Sequence, residues 1–295
     1  MGMLSGALLA WASASWFGCS SGSDASSGTD AGSDAEPAAD ASADVVADGG
    51  EAGAADRIGA VFAISDTTAV DGGTKSAYRA GASFRHITTP DGTTQSKMVG
   101  PCLVETIGDG AAAKEEDLSA GVVHIQGGSK VVDLSPKSDN SYAPASAAGS
   151  LWNGGETLTA RAEGKDVPAF TTSLTAPSKI TLAAPAAPGG AMTVTRNAGV
   201  SATFAGASSG QVVLYFSLAT AQKAFALTCT FEASAGSGQI PAAAFADFPT
   251  GDGTFNFYVK DSSITTPPGW EVHFTASRAI VDPAGVALEG QATFQ

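Results

Sequence analysis

Short stretches of alternating apolar and polar residues recur along the chain from residue 57 onward. Residues 225–231 read Phe-Ala-Leu-Thr-Cys-Thr-Phe, and residues 254–260 and 270–276 repeat the same period of two. This period is typical of β-strands that have one solvent-facing side. Further predicted strands lie near 58–64, 76–86, 121–125, 130–134, 156–162, 179–183, 191–196, 199–205, 211–217 and 286–294.

Turn-forming residues separate these stretches, and long helical patterns are scarce. The turn segments begin at Asp71, Asp91, Gly127, Asn153, Asn197 and Asp252. Short helical turns are predicted only at 111–118 and 241–247. Short strands at this spacing predict an all-β fold of antiparallel β-sandwiches, immunoglobulin-like in the loose architectural sense.

Residues 57–295 are enough for one large β domain or two of ordinary size. The Pro-rich stretch 181–190 predicts a linker that divides them into sandwiches at 57–185 and 186–295. Cys102-Leu-Val-Glu and Cys229-Thr-Phe-Glu share a short pattern that is consistent with a duplication. One continuous domain remains the alternative.

The N-terminal region has a different composition. Residues 4–18 are uncharged and mostly apolar, Gly18 precedes Cys19, and no Lys or Arg follows until Arg57. This order resembles the export signal of bacterial lipoproteins. The resemblance implies a signal peptide at 1–18, lipidation of Cys19 and anchoring in a membrane. Ser20 after the cysteine implies, by the same resemblance, sorting to the outer membrane on its periplasmic or cell-surface face.

Two features depart from that lipoprotein pattern: Trp16 stands where the family usually has Leu, and no Lys or Arg precedes the apolar stretch. Ordinary secretory cleavage and an uncleaved anchor therefore stay open beside lipidation. All three alternatives export the chain.

Residues 19–56 form an acidic segment rich in Ser, Gly, Ala and Asp. From residue 20 onward it contains nine acids, no base and no aromatic residue. Such a composition predicts a disordered spacer, with its ends about 30–35 Å apart as a flexible coil. Without those nine acids the remainder has twenty acids against fifteen bases. We therefore expect no nucleic-acid partner, because such binders have a basic surface.

Cys102 and Cys229 remain if Cys19 is lipidated. An even pair in an oxidising compartment predicts a disulfide, and two buried free thiols are the alternative. The histidines His86, His124 and His273 lack the close spacing of metal ligands, so no metal and no cofactor is predicted.

Other motifs have simpler structural interpretations. Gly206-Ala-Ser-Ser-Gly matches the G-x-S-x-G motif around Ser208, but its flanks are strand-like, which favours a hairpin loop over a nucleophile elbow. Trp152 and Trp270 stand at predicted loop–strand junctions. An exposed indole there could stack on a sugar or a partner, whereas a buried one would close the end of a core.

No set of acid, base, nucleophile or metal ligands converges in the sequence. We therefore expect a non-enzymatic lipoprotein that binds, scaffolds or adheres, with a protein or a glycan as its partner. One alternative is a secreted hydrolase whose loop-assembled site uses Ser208 with His273 or His124. Another is a carbohydrate-binding module that uses Trp152 or Trp270.

Overall fold

The computed structural model describes residues 56–70, 73–89, 93–108, 113–128, 130–207 and 209–295. These residues form strands, connecting loops and three short 3-10 helices, which confirms the predicted all-β class. The signal, Cys19, most of the spacer, Ser208 and the turn residues Asp71 and Asp91 lie outside the described residues.

Nineteen strands make up most of the described residues and are numbered here in chain order. They are β1 (Arg57–Val70), β2 (Gly73–Thr89), β3 (Thr94–Val99), β4 (Cys102–Ile107), β5 (Lys114–Asp117), β6 (Val123–Gly127), β7 (Lys130–Leu134), β8 (Ala145–Ala148), β9 (Thr157–Ala162), β10 (Phe170–Thr175), β11 (Thr181–Ala184), β12 (Ala191–Val194), β13 (Val200–Ala205), β14 (Gln211–Ala219), β15 (Ala224–Glu232), β16 (Ser237–Ile240), β17 (Gly251–Thr265), β18 (Glu271–Ala279) and β19 (Glu289–Phe294).

The strands form one large sheet and two small ones. The large sheet has twelve strands, with the central order β3-β4-β15-β14-β17-β18-β1-β2-β5. Strand β19 pairs with β17 and β12, and β8 pairs with β2. The small sheets have the orders β10-β9-β6-β7 and β11-β13-β16.

The large sheet is mixed, whereas the pattern predicted antiparallel sheets. Strand β1 runs parallel to β18 with Ile58 opposite Glu271, and β12 runs parallel to β19. Parallel partners need a long crossover connection. The β1–β18 pair joins strands from the two ends of the folded region, a distance over which local alternation gives no information.

Two hydrophobic cores pack against the large sheet. The first, named here the phenylalanine core, combines Phe216 and Phe257 of the large sheet with Leu182, Phe204 and Ile240 of the three-stranded sheet. The Phe216 and Phe257 rings meet edge to face, with their centroids 5.4 Å apart. Residues of both sheets thus bury a shared apolar layer, as in a sandwich.

The second, the tryptophan core, combines apolar residues of β1, β2 and β18 with those of the four-stranded sheet. Phe84 and Phe274 lie on the large-sheet side, and Ile125 and Leu158 lie on the other. The predicted boundary at residue 185 does not separate the two cores. Val272 and Phe274 follow it but lie in the tryptophan core, and Cys102 precedes it but lies in the phenylalanine core. The strand pairing therefore joins residues on both sides of 185, and Ala54–Gln295 clusters as one unit.

The two predicted helical turns have different outcomes. A 3-10 helix occupies Ala242–Phe245 directly after Pro241, which confirms the short helical turn predicted at 241–247. The helical turn predicted at 111–118 is wrong over Lys114–Asp117, which form strand β5. All four side chains of β5 are exposed and charged, and the strand pairs with β2 at the edge of the sheet. Charged residues at such an edge oppose unwanted strand addition.

Candidate functional site

Cys102 and Cys229 lie directly opposite each other on the neighbouring strands β4 and β15. The structure joins them in a disulfide, with both residues fully buried in the phenylalanine core. The suggested duplication would have placed them in separate sandwiches. Instead they link two adjacent strands of one sheet, which start far apart in the sequence.

Trp152 and Trp270 are both buried, with exposed fractions of 2% and 4%. The Trp152 indole N–H donates to the carbonyl oxygen of Pro177 at 3.3 Å. The Trp270 ring packs edge-on to Phe84, with a centroid distance of 6.3 Å. Neither indole exposes a face on which a sugar or a partner could stack. Both rings instead pack within the tryptophan core.

Arg278 fixes the loop that follows Trp152. Its guanidinium donates to the carbonyl oxygens of Trp152 and Asn153 at 2.9 and 2.8 Å and lies 5.7 Å from the Trp152 ring. Burial lowers the pKa of Arg278. Glu156 also contacts this loop, because its carboxylate accepts hydrogen bonds from the backbone N–H groups of Asn153 and Gly154. No local pattern indicates this contact, because Arg278 lies more than a hundred residues after the loop.

The histidines suggested for a hydrolase do not share a site. His124 lies on β6 of the four-stranded sheet, and His273 lies on β18 of the large sheet. His273 Nε2 is 2.6 Å from Glu271 Oε1, and His86 Nε2 is 3.5 Å from Asp56 Oδ2. Within the described residues, no group of three or more His, Cys, Asp or Glu side chains is arranged to hold a metal ion.

The outward side of the four-stranded sheet is the best candidate for a binding surface, and we name it the polar face. Strand register places its residues in two rows that cross all four strands. The first row is Asp133, His124, Arg161 and Thr171, and the second is Val131, Gln126, Thr159 and Ser173.

Alternation along each strand produces this surface. Strand β9 buries Leu158, Ala160 and Ala162 in the tryptophan core, which turns Thr159 and Arg161 outward. The other three strands show the same alternation. Because the inward residues are packed, the outward side chains stand on a rigid support.

Some side chains of the polar face are already engaged. His124 Nδ1 lies 2.7 Å from Asp133 Oδ1, and its Nε2 lies 3.5 Å from Glu163 Oε1. The hydroxyl oxygens of Thr159 and Ser173 are 2.9 Å apart. Both ring nitrogens of His124 therefore face carboxylates, an arrangement that leaves neither nitrogen free to activate a nucleophile.

Other side chains of the polar face are available to a ligand. A shallow depression of about 250 Å³ is lined by His124, Gln126, Val131, Thr159, Arg161 and Thr171. Gln126, Arg161 and Thr171 are exposed, and among the described residues their side chains have no hydrogen-bond or ion-pair partner. Guanidinium, amide and hydroxyl groups supply several donors, which suits a ligand rich in oxygen acceptors.

The chain matches no protein-family model, no curated protein and no solved structure. In the part of the chain that the structure describes, none of the helices has the length and apolar character needed to cross a membrane.

Proposed function

We propose that this protein is a membrane-anchored bacterial lipoprotein of the outer membrane whose β body is a non-enzymatic binding module. The anchoring part of the proposal is supported by the sequence order of apolar stretch, Gly18, Cys19 and Ser20. Cleavage before Cys19 and its acylation would supply more than one acyl chain, which suffices for stable membrane association. The spacer would then separate the β body from the bilayer surface.

The observation that supports binding is the set of uncommitted donors on the polar face. Gln126, Arg161 and Thr171 project from a rigid sheet beside a depression of about 250 Å³. A glycan presents many oxygen acceptors along an extended chain, so it is the ligand class that this surface fits best. The engagement of both His124 nitrogens supports binding without catalysis.

Anchoring is tested by metabolic labelling of the full chain with an alkyne-bearing fatty acid, followed by intact-mass measurement of the membrane-extracted protein. We expect a labelled protein that begins at Cys19, and we expect Cys19→Ala to abolish both labelling and membrane retention. Recovery of an unlabelled cytosolic protein with its first methionine would contradict the proposal.

Binding is tested by applying the full chain to an array of bacterial envelope glycans. We expect Arg161→Ala to weaken retention about tenfold or more, in line with the loss of hydrogen bonds from a charged donor. Lys223→Ala is the matched control, because it also removes one exposed positive charge but lies in the β14–β15 turn. Equal retention of the Arg161→Ala and Lys223→Ala variants, or no retention of the wild type, would contradict binding through the polar face.

A further inference from the structure

A second cavity lies away from the polar face, beside the phenylalanine core. Its volume is about 360 Å³. The turn after β12, the 3-10 helix at Ala242–Phe245 and the end of β19 surround it. Its lining residues are Arg196, Asn197, Ala242, Phe245, Ala246 and Gln295. The volume falls within the range of small-molecule sites, about 300–1,000 Å³.

One side of the cavity is apolar and rigid. Phe245 is fully buried, and its ring centroid lies 5.6 Å from that of Phe216 and 5.9 Å from that of Phe248. Because Phe245 itself has no exposed surface, the partly exposed Ala242 and the exposed Ala246 form the apolar surface that a ligand can reach. This side can accept an apolar group by excluding water from its surface.

Arg196 supplies the only charged side chain in the described lining of the cavity. Its Nη1 donates to the carbonyl oxygen of Phe248 at 2.5 Å. Its Nε–H is buried and has no acceptor within the described residues. None of the described carboxylates forms an ion pair with this guanidinium, and the nearby Asp247 pairs instead with Lys97.

An uncompensated arginine beside an apolar cavity needs a physical explanation. Buried polar groups almost always have a hydrogen-bond partner, and exceptions point to a functional role or a bound species. A guanidinium has five N–H donors in a planar fork that matches a carboxylate. Among the described residues only one of these donor interactions is made, so the remaining Nη donors are uncommitted.

We propose that this cavity binds a small organic carboxylate, with the carboxylate on Arg196 and the apolar part of the ligand against Ala242 and Ala246. The exposed lining residues Asn197 and Gln295 have amide side chains that can donate to the same ligand. The charge-assisted hydrogen bonds fix the orientation of the ligand, and the apolar side selects against small hydrophilic anions. This site is independent of the polar face and of the proposed function.

The proposal is tested by calorimetric titration of the full chain with benzoate, hexanoate, acetate and benzyl alcohol. We expect saturable one-to-one binding of benzoate or hexanoate. Acetate, which lacks the apolar part, and benzyl alcohol, which lacks the charge, should bind at least tenfold more weakly. We expect Arg196→Gln to weaken binding of the carboxylate about 10- to 100-fold, the range for loss of hydrogen bonds from a charged group.

Two further variants keep the result decisive. Ala246→Phe, at an exposed position in the lining, should block binding without removing the charge, and it remains informative if Arg196→Gln does not fold. Lys223→Ala, in the β14–β15 turn, removes an exposed positive charge elsewhere and should leave carboxylate affinity unchanged. Absence of saturable binding for both benzoate and hexanoate would overturn the proposal, as would binding that persists unchanged in folded Arg196→Gln or Ala246→Phe protein.

Discussion

Loss of the Cys102–Cys229 disulfide should destabilise the folded protein by about 5 kcal/mol. The bond joins residues separated by 127 positions. For a loop of that length, the chain-entropy relation gives about 16–17 cal/mol/K, or about 5 kcal/mol at 25 °C. Both residues are fully buried on adjacent strands, so the reduced thiols would stay packed in the native state. The effect therefore acts mainly through the greater freedom of the reduced unfolded chain.

Urea unfolding of oxidised and reduced protein measures this difference. The fluorescence of the buried Trp152 and Trp270 follows exposure of the tryptophan core. With a urea slope of about 2–3 kcal/mol/M, the midpoint should fall by about 2 M on reduction. The double variant Cys102→Ala/Cys229→Ala should show a fall at least as large, because it also removes two buried sulfur atoms.

The single variant Cys102→Ala is the control, because it leaves one buried thiol at Cys229. That thiol should react with a maleimide in urea but not in the folded protein. The reasoning would be refuted if oxidised and reduced wild type unfolded at the same urea concentration. It would also be refuted if the oxidised, unfolded wild type contained two reactive thiols at these positions.

Three further predictions concern stability. Although desolvation raises the pKa of Glu156, the N–H groups of Asn153 and Gly154 and the charge of Arg278 lower it overall below its usual 4.5. The ionised carboxylate therefore stabilises the folded protein above that pH, and this stabilisation is lost as the pH falls. Glu156→Gln should lower the melting temperature by about 2 °C at pH 7, and the melting temperatures of variant and wild type should converge in acid. A difference in melting temperature that stayed constant with pH would contradict this. Burial lowers the pKa of Lys260, and it has no ion-pair partner among the described residues. Lys260→Met should therefore stabilise the protein by up to about 1 kcal/mol near pH 7. This gain in unfolding free energy should shrink at alkaline pH, because Lys260 loses its proton at a lower pH in the folded wild type than in the unfolded chain. A variant less stable than the wild type near pH 7 would contradict this. A Cβ at Gly81 would lie 2.4 Å from the Phe62 ring. Gly81→Ala should therefore lower the unfolding free energy measured in urea by about 1–3 kcal/mol. Phe62→Leu should reduce that loss, and strictly additive effects in the double variant would contradict a clash between the two residues.

Local alternation was sufficient to predict the fold class. Predicted strand 130–134 has the same bounds as β7, and predicted strand 199–205 differs from β13 by one residue. Strand β10 was missed, although Phe170, Thr172 and Leu174 alternate with exposed neighbours in the structure. Its Thr-rich composition with only two large apolar residues hid the period.

The pairing between distant strands could not be predicted from alternation. The neighbours of β1 and β4 in the sheet include β18 and β15, far along the chain, and no local pattern specifies such partners. The polar face follows from this non-local register, because it aligns His124, Arg161 and Thr171 from three strands. Alternation alone could not decide between the exposed and buried alternatives for the indoles, since a residue at a loop–strand junction can be buried by a distant side chain, as Trp152 is by Arg278.

The parallel β1–β18 pair sets the order in which the protein can become native. Ile58 is synthesised long before its partner Glu271, because the two residues are far apart along the chain. Contacts of such high sequence separation slow folding and leave incomplete chains with unpaired strand borders. The large sheet therefore cannot be completed until β18 has been synthesised. In the exported lipoprotein that we propose, this late pairing would keep the chain unfolded long enough to cross the membrane.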